Sequence, residues 1–210
     1  MDLRVHDIIQ IHSEQDVIYD KPKPSWVTTS LKKAPFVVVR RAPIENGFVP
    51  VGIRGATRSE RFPAFVHTEK IKKVVTPEQI IREKKWHLFD HQIFKYLEKI
   101  DEIMKAKSII WGVGGSVGFE LVSKVATVHD KSDIDIIVRD TPKLTKEVSK
   151  QLIEALKNIP VKTDVQVETK DGSFSLYEYA NANGKPILFK TKDGPILKEI
   201  TDLRPDETFI

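Results

Sequence analysis

The sequence predicts an α/β (α+β) protein in two parts, with a small β-rich N-terminal domain over residues 1–80 and a mixed sheet flanked by helices over residues 81–210. Short β-branched runs bounded by proline or glycine, such as "APFVVVRRAP" and "GFVPVGIRG", are typical of short strands in the first part. From about residue 80, apolar residues recur at spacings of three and four, which favours amphipathic helices. Short apolar runs of strand length lie between those helices.

The second part should open with helices. Thr76 and Pro77 are a typical helix start, because proline fits the first helical position and threonine caps it. A long amphipathic helix is predicted next, and its apolar face is formed by Trp86, Phe89, Ile93, Leu97, Ile100 and Ile103.

Shorter elements are predicted through the rest of the chain. They are strands over residues 108–113 and 134–138, with a helix over residues 116–124. Another helix should begin near Thr141 and Pro142. The alternation in "VKTDVQVET" predicts a strand with one covered face, and the Asp171-Gly172 pair predicts a hairpin turn after it.

Composition excludes several classes of protein. The 210 residues include no cysteine, so any metal must be bound by oxygen or imidazole, and no disulfide framework can form. No apolar run reaches the length of a membrane span, and "MDLRVHDIIQ" lacks the apolar core of a signal peptide. The formal net charge of +4 permits an anionic partner without demonstrating one. We therefore expect a cytoplasmic protein without a membrane partner.

The stretch "WGVGGSVGFELVSKVATVHDKSDIDIIV", residues 111–138, contains a glycine turn and, later, two aspartates one residue apart. Glycine turns of this kind bind phosphates in several protein classes. A Walker-type loop is excluded, since Val117 stands where its second glycine belongs and no lysine follows. Val117 also breaks the dinucleotide-binding fingerprint, and the aspartates precede the apolar run "IIV" instead of following a strand.

A glycine-serine turn followed by Asp-x-Asp accounts for both features. A strand places Asp133 and Asp135 on one face, where two adjacent carboxylates need a cation such as Mg²⁺ between them. Gly114, Gly115 and Ser116, at a strand-to-helix turn, offer backbone N–H groups and a hydroxyl to phosphate. Together they predict a triphosphate and metal site of the kind found in polymerase-β-like nucleotidyltransferases. The alternative is a surface acidic cluster beside a glycine turn that only packs tightly.

Such nucleotidyltransferases usually have a third carboxylate on a later strand, facing the same metals. Asp164 in "TDVQVET" is the first candidate, and Glu168 on the same face is the second. Both are also explained as solvated acids of an alternating strand.

Much of the chain resembles one particular family, the malonate decarboxylase holo-acyl-carrier-protein synthases, which are phosphoribosyl-dephospho-CoA transferases. The resemblance includes the glycine-serine turn and Asp-x-Asp, here separated by the sixteen residues from Val117 to Ser132. It extends to "RVHDIIQI", "VVVRRAP", "VPVGIRGATRSERFPAF" and "TDVQVETKDG". Gln166 departs from the second acid expected after Asp164.

The resemblance implies a specific reaction. The family transfers the 2′-(5″-phosphoribosyl)-3′-dephospho-CoA group from 2′-(5″-triphosphoribosyl)-3′-dephospho-CoA to a serine of the apo acyl-carrier subunit of malonate decarboxylase, and pyrophosphate leaves. Asp133, Asp135 and Asp164 would then bind Mg²⁺ and act in catalysis, while Gly115 and Ser116 would bind the pyrophosphate end. A carrier from the related citrate lyase system is an open alternative.

Five arginines lie within 22 residues of the N-terminal part: Arg40, Arg41, Arg54, Arg58 and Arg61. The guanidinium group suits phosphate and carboxylate, so the first four are expected to bind the precursor or the carrier, which is typically acidic. A solvated face with salt bridges to acids elsewhere is the simpler alternative.

Two rival functions remain open. One is another Mg²⁺-dependent nucleotidyltransferase that uses an ordinary nucleoside triphosphate on a small molecule, RNA or protein. The other is a binding module that recognises the carrier or a CoA derivative without chemistry. Nucleic acid is the weakest partner, because the basic residues are not interleaved with stacking aromatics. His87 and His91 have a zinc-compatible spacing, but surface or core packing is the favoured interpretation.

Overall fold

The computed structural model describes residues 2–57, 59–139 and 143–200. These residues form two compact units. The first contains the chain up to Pro77 together with Phe119–Thr127, and the second contains Glu78–Gly118 together with the chain from Val128 onward. Each unit has one six-stranded sheet, so the predicted α/β class with a strand-rich first part is confirmed.

The first unit is built on an antiparallel sheet. Its strands are β1 (Ile8–Ile11), β2 (Val17–Ile18), β3 (Phe36–Val39), β4 (Phe48–Arg54), β5 (Arg61–His67) and β6 (Ile71–Val75). They lie in the order β2-β5-β4-β3-β1-β6, and each neighbouring pair is antiparallel. The β-branched runs that predicted strands correspond to β3 and β4.

One face of this sheet forms the core of the first unit. Successive side chains of a strand point to opposite faces, and Val49, Val51 and Ile53 of β4 are all buried. The helix α1 (Ser25–Lys33) adds Val27 and Leu31 to the same apolar cluster. Arg54, the residue after Ile53, therefore projects to the opposite face of β4.

The second unit has a mixed sheet. Its strands are β7 (Gly112–Val113), β8 (Ile134–Val138), β9 (Thr163–Glu168), β10 (Ser173–Ser175), β11 (Ile187–Thr191) and β12 (Gly194–Lys198). Their order is β12-β11-β10-β9-β8-β7, and only β8 and β9 are parallel. A parallel pair requires a crossover connection, which contains the helix α5 (Lys146–Leu156). The hairpin predicted at Asp171-Gly172 is confirmed by the β9–β10 pair.

The remaining helices are α2 (Pro77–Glu83), α3 (Gln92–Ala106), α4 (Gly115–Ser123) and α6 (Leu176–Asn181). The helix starts predicted at Pro77 and near residue 116 are confirmed within one residue. Amphipathic spacing explains the burial of Leu97 and Ile100 on α3 and of Leu152 and Leu156 on α5. Within the described residues, no helix combines the length and the apolar character needed to cross a membrane.

The predicted long helix was wrong at its N-terminal end. Lys84 has a left-handed backbone with φ of 50°, and a short 3₁₀ turn over Lys85–Leu88 follows it. α3 starts only at Gln92, because His91 caps it by accepting a hydrogen bond from Ile93 N at 3.2 Å. Trp86 is buried but lies outside α3, so its spacing from the apolar residues of the helix reflected burial and not helical structure.

Two further boundaries differ from the prediction. The strand predicted over residues 108–113 is reduced to Gly112–Val113, because Ser108 has a left-handed φ of 54° and Ile109 N donates to Met104 O at the end of α3. α5 begins at Lys146, where the side chain of Thr145 caps it. Thr141 and Pro142, at the predicted start, lie outside the described residues.

Candidate active site

The parallel strands of the second unit place two predicted carboxylates side by side. Asp135 on β8 is the register partner of Asp164 on β9, and neighbouring strands are about 4.8 Å apart. Register partners project to the same face, so the two carboxylates share one face of the sheet. Asp133 directly precedes β8 at the same end of the strands. Asp135 and Asp133 are half-buried, whereas Asp164 is exposed.

The glycine turn lies directly against one of these carboxylates. Gly114 N donates to the backbone oxygen of Asp135 at 2.8 Å, which joins the turn to β8. Gly115 has a left-handed φ of +57°, and a Cβ atom there would lie 1.6 Å from Oδ2 of Asp135. Only glycine therefore allows the Asp135 carboxylate to approach the first residue of α4. The positive end of the helix dipole favours a negative charge at that position.

The residues on either side of Gly115 fix the same turn. Ser116 is buried, with 6% of its surface exposed, and it begins the first turn of α4. Gly118 has no room for a side chain, since a Cβ atom there would lie 2.4 Å from the backbone oxygen of Val113. This close approach packs α4 against β7 and so orients the turn that the sequence predicted for phosphate.

Register favours Asp164 over Glu168 as the carboxylate beside Asp135. Asp164 lies opposite Asp135, whereas Glu168 is four residues further along β9, about 13 Å away. Glu168 is also buried and pairs with Ser173 of β10. Gln166, between them, donates to Ser173 Oγ at 2.7 Å and is therefore a structural residue of the hairpin.

The donor set fits a hard cation. Within residues 2–57, 59–139 and 143–200, no group of three histidine or acidic side chains is arranged to hold a metal ion by itself. Mg²⁺ does not require such a group, because it is usually bound by one or two carboxylates, with phosphate oxygens and water as the other ligands. The Asp135 and Asp164 pair could supply those carboxylates, and Asp133, directly before β8, is a further oxygen donor.

Three arginines share the outer face of the sheet in the first unit. Arg54 and Arg61 are register partners on β4 and β5, so two positive charges lie directly opposite each other. The side chain of Arg40 extends over Gly52, with its Cδ 3.4 Å from the place a Cβ of Gly52 would occupy. Such an arrangement of like charges favours an anionic ligand.

Local contacts hold two of these guanidinium groups. Arg54 lies over the ring of Phe119, 6.0 Å from its centroid, and Arg61 Nη1 donates to the backbone oxygens of Thr57 and Glu60 at 3.3 and 3.0 Å. Arg41 is half-buried. Arg58, the remaining predicted substrate-binding arginine, lies outside the described residues.

Sequence reasoning missed an ionic network around one buried aspartate ahead of the glycine turn. Asp101 is 3% exposed and accepts hydrogen bonds from Trp111 Nε1 at 3.3 Å and Lys105 Nζ at 2.7 Å, while Lys84 Nζ lies 3.0 Å away. Burial by itself raises the pKa of Asp101, but the hydrogen bonds from Lys105, Lys84 and Trp111 outweigh it and hold that pKa below its usual value. The Asp-x-x-x-Lys spacing from Asp101 to Lys105 was the available sign.

Two histidines of the second unit, His87 and His91, lie against nearby backbone. Nδ1 of His91 accepts a hydrogen bond from the start of α3, and Nδ1 of His87 lies 2.8 Å from the backbone oxygen of Lys84. These backbone contacts are consistent with the favoured interpretation of surface or core packing.

Fold and site together define a two-unit α/β protein with a glycine-lined acidic site suited to a phosphate-bearing substrate. The family model for the N-terminal domain of the phosphoribosyl-dephospho-CoA transferase MdcG matches residues 4–77, and the model for its C-terminal domain matches residues 81–200. The chain belongs to this family of enzymes, and the resemblance drawn from its motifs is confirmed.

Curated relatives carry the same description. Phosphoribosyl-dephospho-CoA transferases of Pseudomonas syringae pv. tomato and Pseudomonas aeruginosa are 36% and 32% identical to the chain, over 81% and 84% of its length and 81% and 83% of theirs. The Klebsiella pneumoniae transferase is 29% identical over 91% of the chain and 92% of its own length. No solved structure matches the chain.

Proposed function

We propose that the chain transfers the phosphoribosyl-dephospho-CoA group from its triphosphoribosyl precursor to a serine of the apo acyl-carrier subunit of malonate decarboxylase. The observation that carries this proposal is the contact between Gly115 and Asp135, with Asp164 in register, in a chain of the phosphoribosyl-dephospho-CoA transferase family. A phosphate-binding turn and a carboxylate pair on one face are what such a transfer requires.

The reaction exchanges one bond to phosphorus for another. The oxygen of the carrier serine forms a bond to the α-phosphorus of the precursor, and the bond from that phosphorus to the departing pyrophosphate breaks with its electron pair. The serine proton passes to a carboxylate, and Asp164 is the exposed member of the pair. Backbone N–H groups of Gly115 and Ser116 at the start of α4 bind oxygens of the pyrophosphate end.

Metal binding fits this arrangement. Asp135 and Asp164, with Asp133 beside them, would hold Mg²⁺, which when bound neutralises charge on the triphosphate and its leaving group. The half-buried Asp135 carboxylate is fixed against the glycine turn, so its role is to position and not to move. The order of glycine-serine turn, helix and Asp-x-Asp strand supports a polymerase-β-like nucleotidyltransferase core for the second unit.

The first unit would supply binding energy. Arg40, Arg54 and Arg61 lie on one face and suit the phosphates of the precursor or acidic side chains of the carrier. Arg41 and Arg58 are proposed for the same role from the family motifs alone.

The test is the intact mass of the apo carrier subunit after incubation with the enzyme, Mg²⁺ and the precursor. The expected result is a gain equal to the phosphoribosyl-dephospho-CoA group, lost with EDTA and restored by excess Mg²⁺. No gain with verified carrier and precursor would contradict the proposal. Label transferred from α-labelled ATP to an acceptor other than a carrier would instead support the rival nucleotidyltransferase.

A further inference from the structure

A cavity of about 480 Å³ adjoins the carboxylate pair in the second unit. Its walls come from the end of α5, the loop that leads into β9, and the start of α6. Asp164 is among the residues that line it, so one residue belongs both to the carboxylate pair and to the cavity. The volume lies within the range of small-molecule sites, roughly 300 to 1,000 Å³.

The cavity has an apolar wall and an aromatic residue at its rim. Ile153 and Leu156 of α5, with Ile159 of the following loop, form the apolar side. Tyr177, on α6, also lines the cavity and keeps 63% of its surface exposed, an unusual position for a large aromatic side chain. An exposed aromatic ring beside an apolar wall is suited to stacking on a planar base.

Positive charge lies at the same rim. Lys162 lines the cavity, and its ammonium group forms no ion pair with any residue in the described part of the chain. Lys157 is paired with Glu154 at 2.7 Å, and that hydrogen bond raises the pKa of the Lys157 ammonium group. Lys162 is therefore the side chain available to a phosphate of the ligand.

We propose that this cavity binds the adenosine diphosphate end of the dephospho-CoA portion of the precursor, with the adenine ring against Tyr177 and a phosphate near Lys162. The proposal rests on the proposed function and adds the location of the part of the substrate that does not react. A ligand bound here extends to Asp164, so the cavity would orient the triphosphate toward the carboxylate pair. A concave site of this size fits a small molecule better than the flat surface of a carrier protein.

The test measures binding of dephospho-CoA to the full chain by calorimetry, without carrier and without turnover. Tyr177→Ala should weaken dephospho-CoA binding roughly tenfold, the loss expected for one stacked base. Lys162→Gln should weaken it about three- to fivefold. The matched controls are Tyr96→Ala on α3 and Lys185→Gln in the turn before β11, neither of which lines the cavity, and both should stay within about twofold of the parent.

Fragments of the ligand identify which part occupies the cavity. ADP should lose affinity in Tyr177→Ala by the same factor as dephospho-CoA, while 4′-phosphopantetheine should not. If Tyr177→Ala weakened the binding of 4′-phosphopantetheine but not that of ADP, the adenosine assignment would be overturned. Dephospho-CoA that does not bind the parent chain, or that binds both cavity variants as tightly as the parent, would overturn the proposal.

The outcome is separable from that of the transfer reaction. A chain that modifies the carrier, yet binds dephospho-CoA independently of Tyr177 and Lys162, refutes the cavity proposal alone. A chain whose dephospho-CoA binding depends on both residues, yet leaves the carrier mass unchanged, refutes the transfer proposal alone. In the transfer assay, Tyr177→Ala should raise KM for the precursor and leave kcat within about twofold.

Discussion

The two six-stranded sheets differ in one pairing, and that pairing carries the candidate site. The sheet of the first unit is antiparallel throughout, whereas the second contains the parallel pair β8 and β9. Because a crossover brings parallel strands in from the same end, Asp135 and Asp164 meet although 28 residues separate them in the sequence. Antiparallel strands joined by hairpins would instead place the start of one strand beside the end of the next, so two aspartates near the starts of neighbouring strands would lie apart.

The exposed faces of the two sheets also carry opposite charges. Arg40, Arg54 and Arg61 share one face of the first sheet, while Asp135 and Asp164 share one face of the second. Under the proposed function, the arginine face would bind anionic groups and the carboxylate pair would take part in the chemistry. Variants at the carboxylate pair and its glycine turn should therefore change kcat, and variants on the arginine face should change KM.

The largest effect is expected at the carboxylate pair. Asp135→Asn keeps the shape of the side chain and removes its charge, so transfer to the carrier should fall about a thousandfold in kcat. Asp164→Asn should have a comparable effect, because the two side chains lie in register. Single-turnover assays read by carrier mass measure both.

The matched control for this prediction is Asp171→Asn, in the exposed hairpin turn of the same sheet. Asparagine-glycine suits that turn as well as aspartate-glycine does, so both folding and kcat should be unchanged. Activity of Asp135→Asn within tenfold of the parent would place the chemistry elsewhere.

A smaller loss is expected from Gly115→Ala. The new Cβ would collide with Oδ2 of Asp135, so the carboxylate must move and kcat should fall about a hundredfold. The left-handed backbone adds a stability cost of about 1–2 kcal/mol.

Gly184→Ala separates the two effects, because Gly184 also has a positive φ, of +81°, but no atom lies within 4 Å of the place its Cβ would occupy. It should lose stability and retain kcat, and equal loss of kcat in both variants would contradict the assigned role of Gly115.

Short-range sequence patterns predicted part of this architecture. The strand over Ile134–Val138 was predicted with the bounds it has, since four of its five residues are apolar and β-branched, which is characteristic of a buried strand. The start of α3 was missed, because apolar spacing cannot distinguish a buried 3₁₀ turn at Trp86 from another turn of helix. The left-handed backbone of Lys84 ends α2 and has no marker in its residue type.

For the candidate site, the sequence supplies the residues and the structure supplies their contacts. Asp133, Asp135 and the glycine turn were predicted to form a phosphate and metal site from residue type and spacing, and that role stays a prediction. The sequence did not show that the Asp135 carboxylate requires glycine at position 115. The two residues are 20 positions apart in the sequence, and only the packing of α4 against the sheet brings them into contact. Register likewise favoured Asp164 over Glu168, which alternation alone left equivalent.

The arginine face provides the direct contrast with the carboxylates. Arg54→Gln should raise KM for the precursor or the carrier about tenfold, the loss expected for one charge-assisted contact, with kcat within about twofold. Arg82→Gln, an exposed arginine of α2, is the control and should change neither constant. A fall in kcat without a change in KM would mean that the first unit takes part in the chemistry, and the division between the units would be wrong.

The smallest expected effect is on stability and concerns the network ahead of the glycine turn. The pKa of Asp101 in the folded protein is below its unfolded value of about 3.9. The carboxylate therefore makes its full contribution to the free energy of unfolding when the pH is above the unfolded pKa, and that contribution is lost as the pH falls through the folded pKa. Asp101→Asn should lower the free energy of unfolding by about 1–2 kcal/mol at pH 7 and by progressively less below pH 4, as measured by urea unfolding from pH 7 to 3. If the difference in unfolding free energy between the parent and the variant stayed constant down to pH 3, the charge of the carboxylate would contribute nothing to stability.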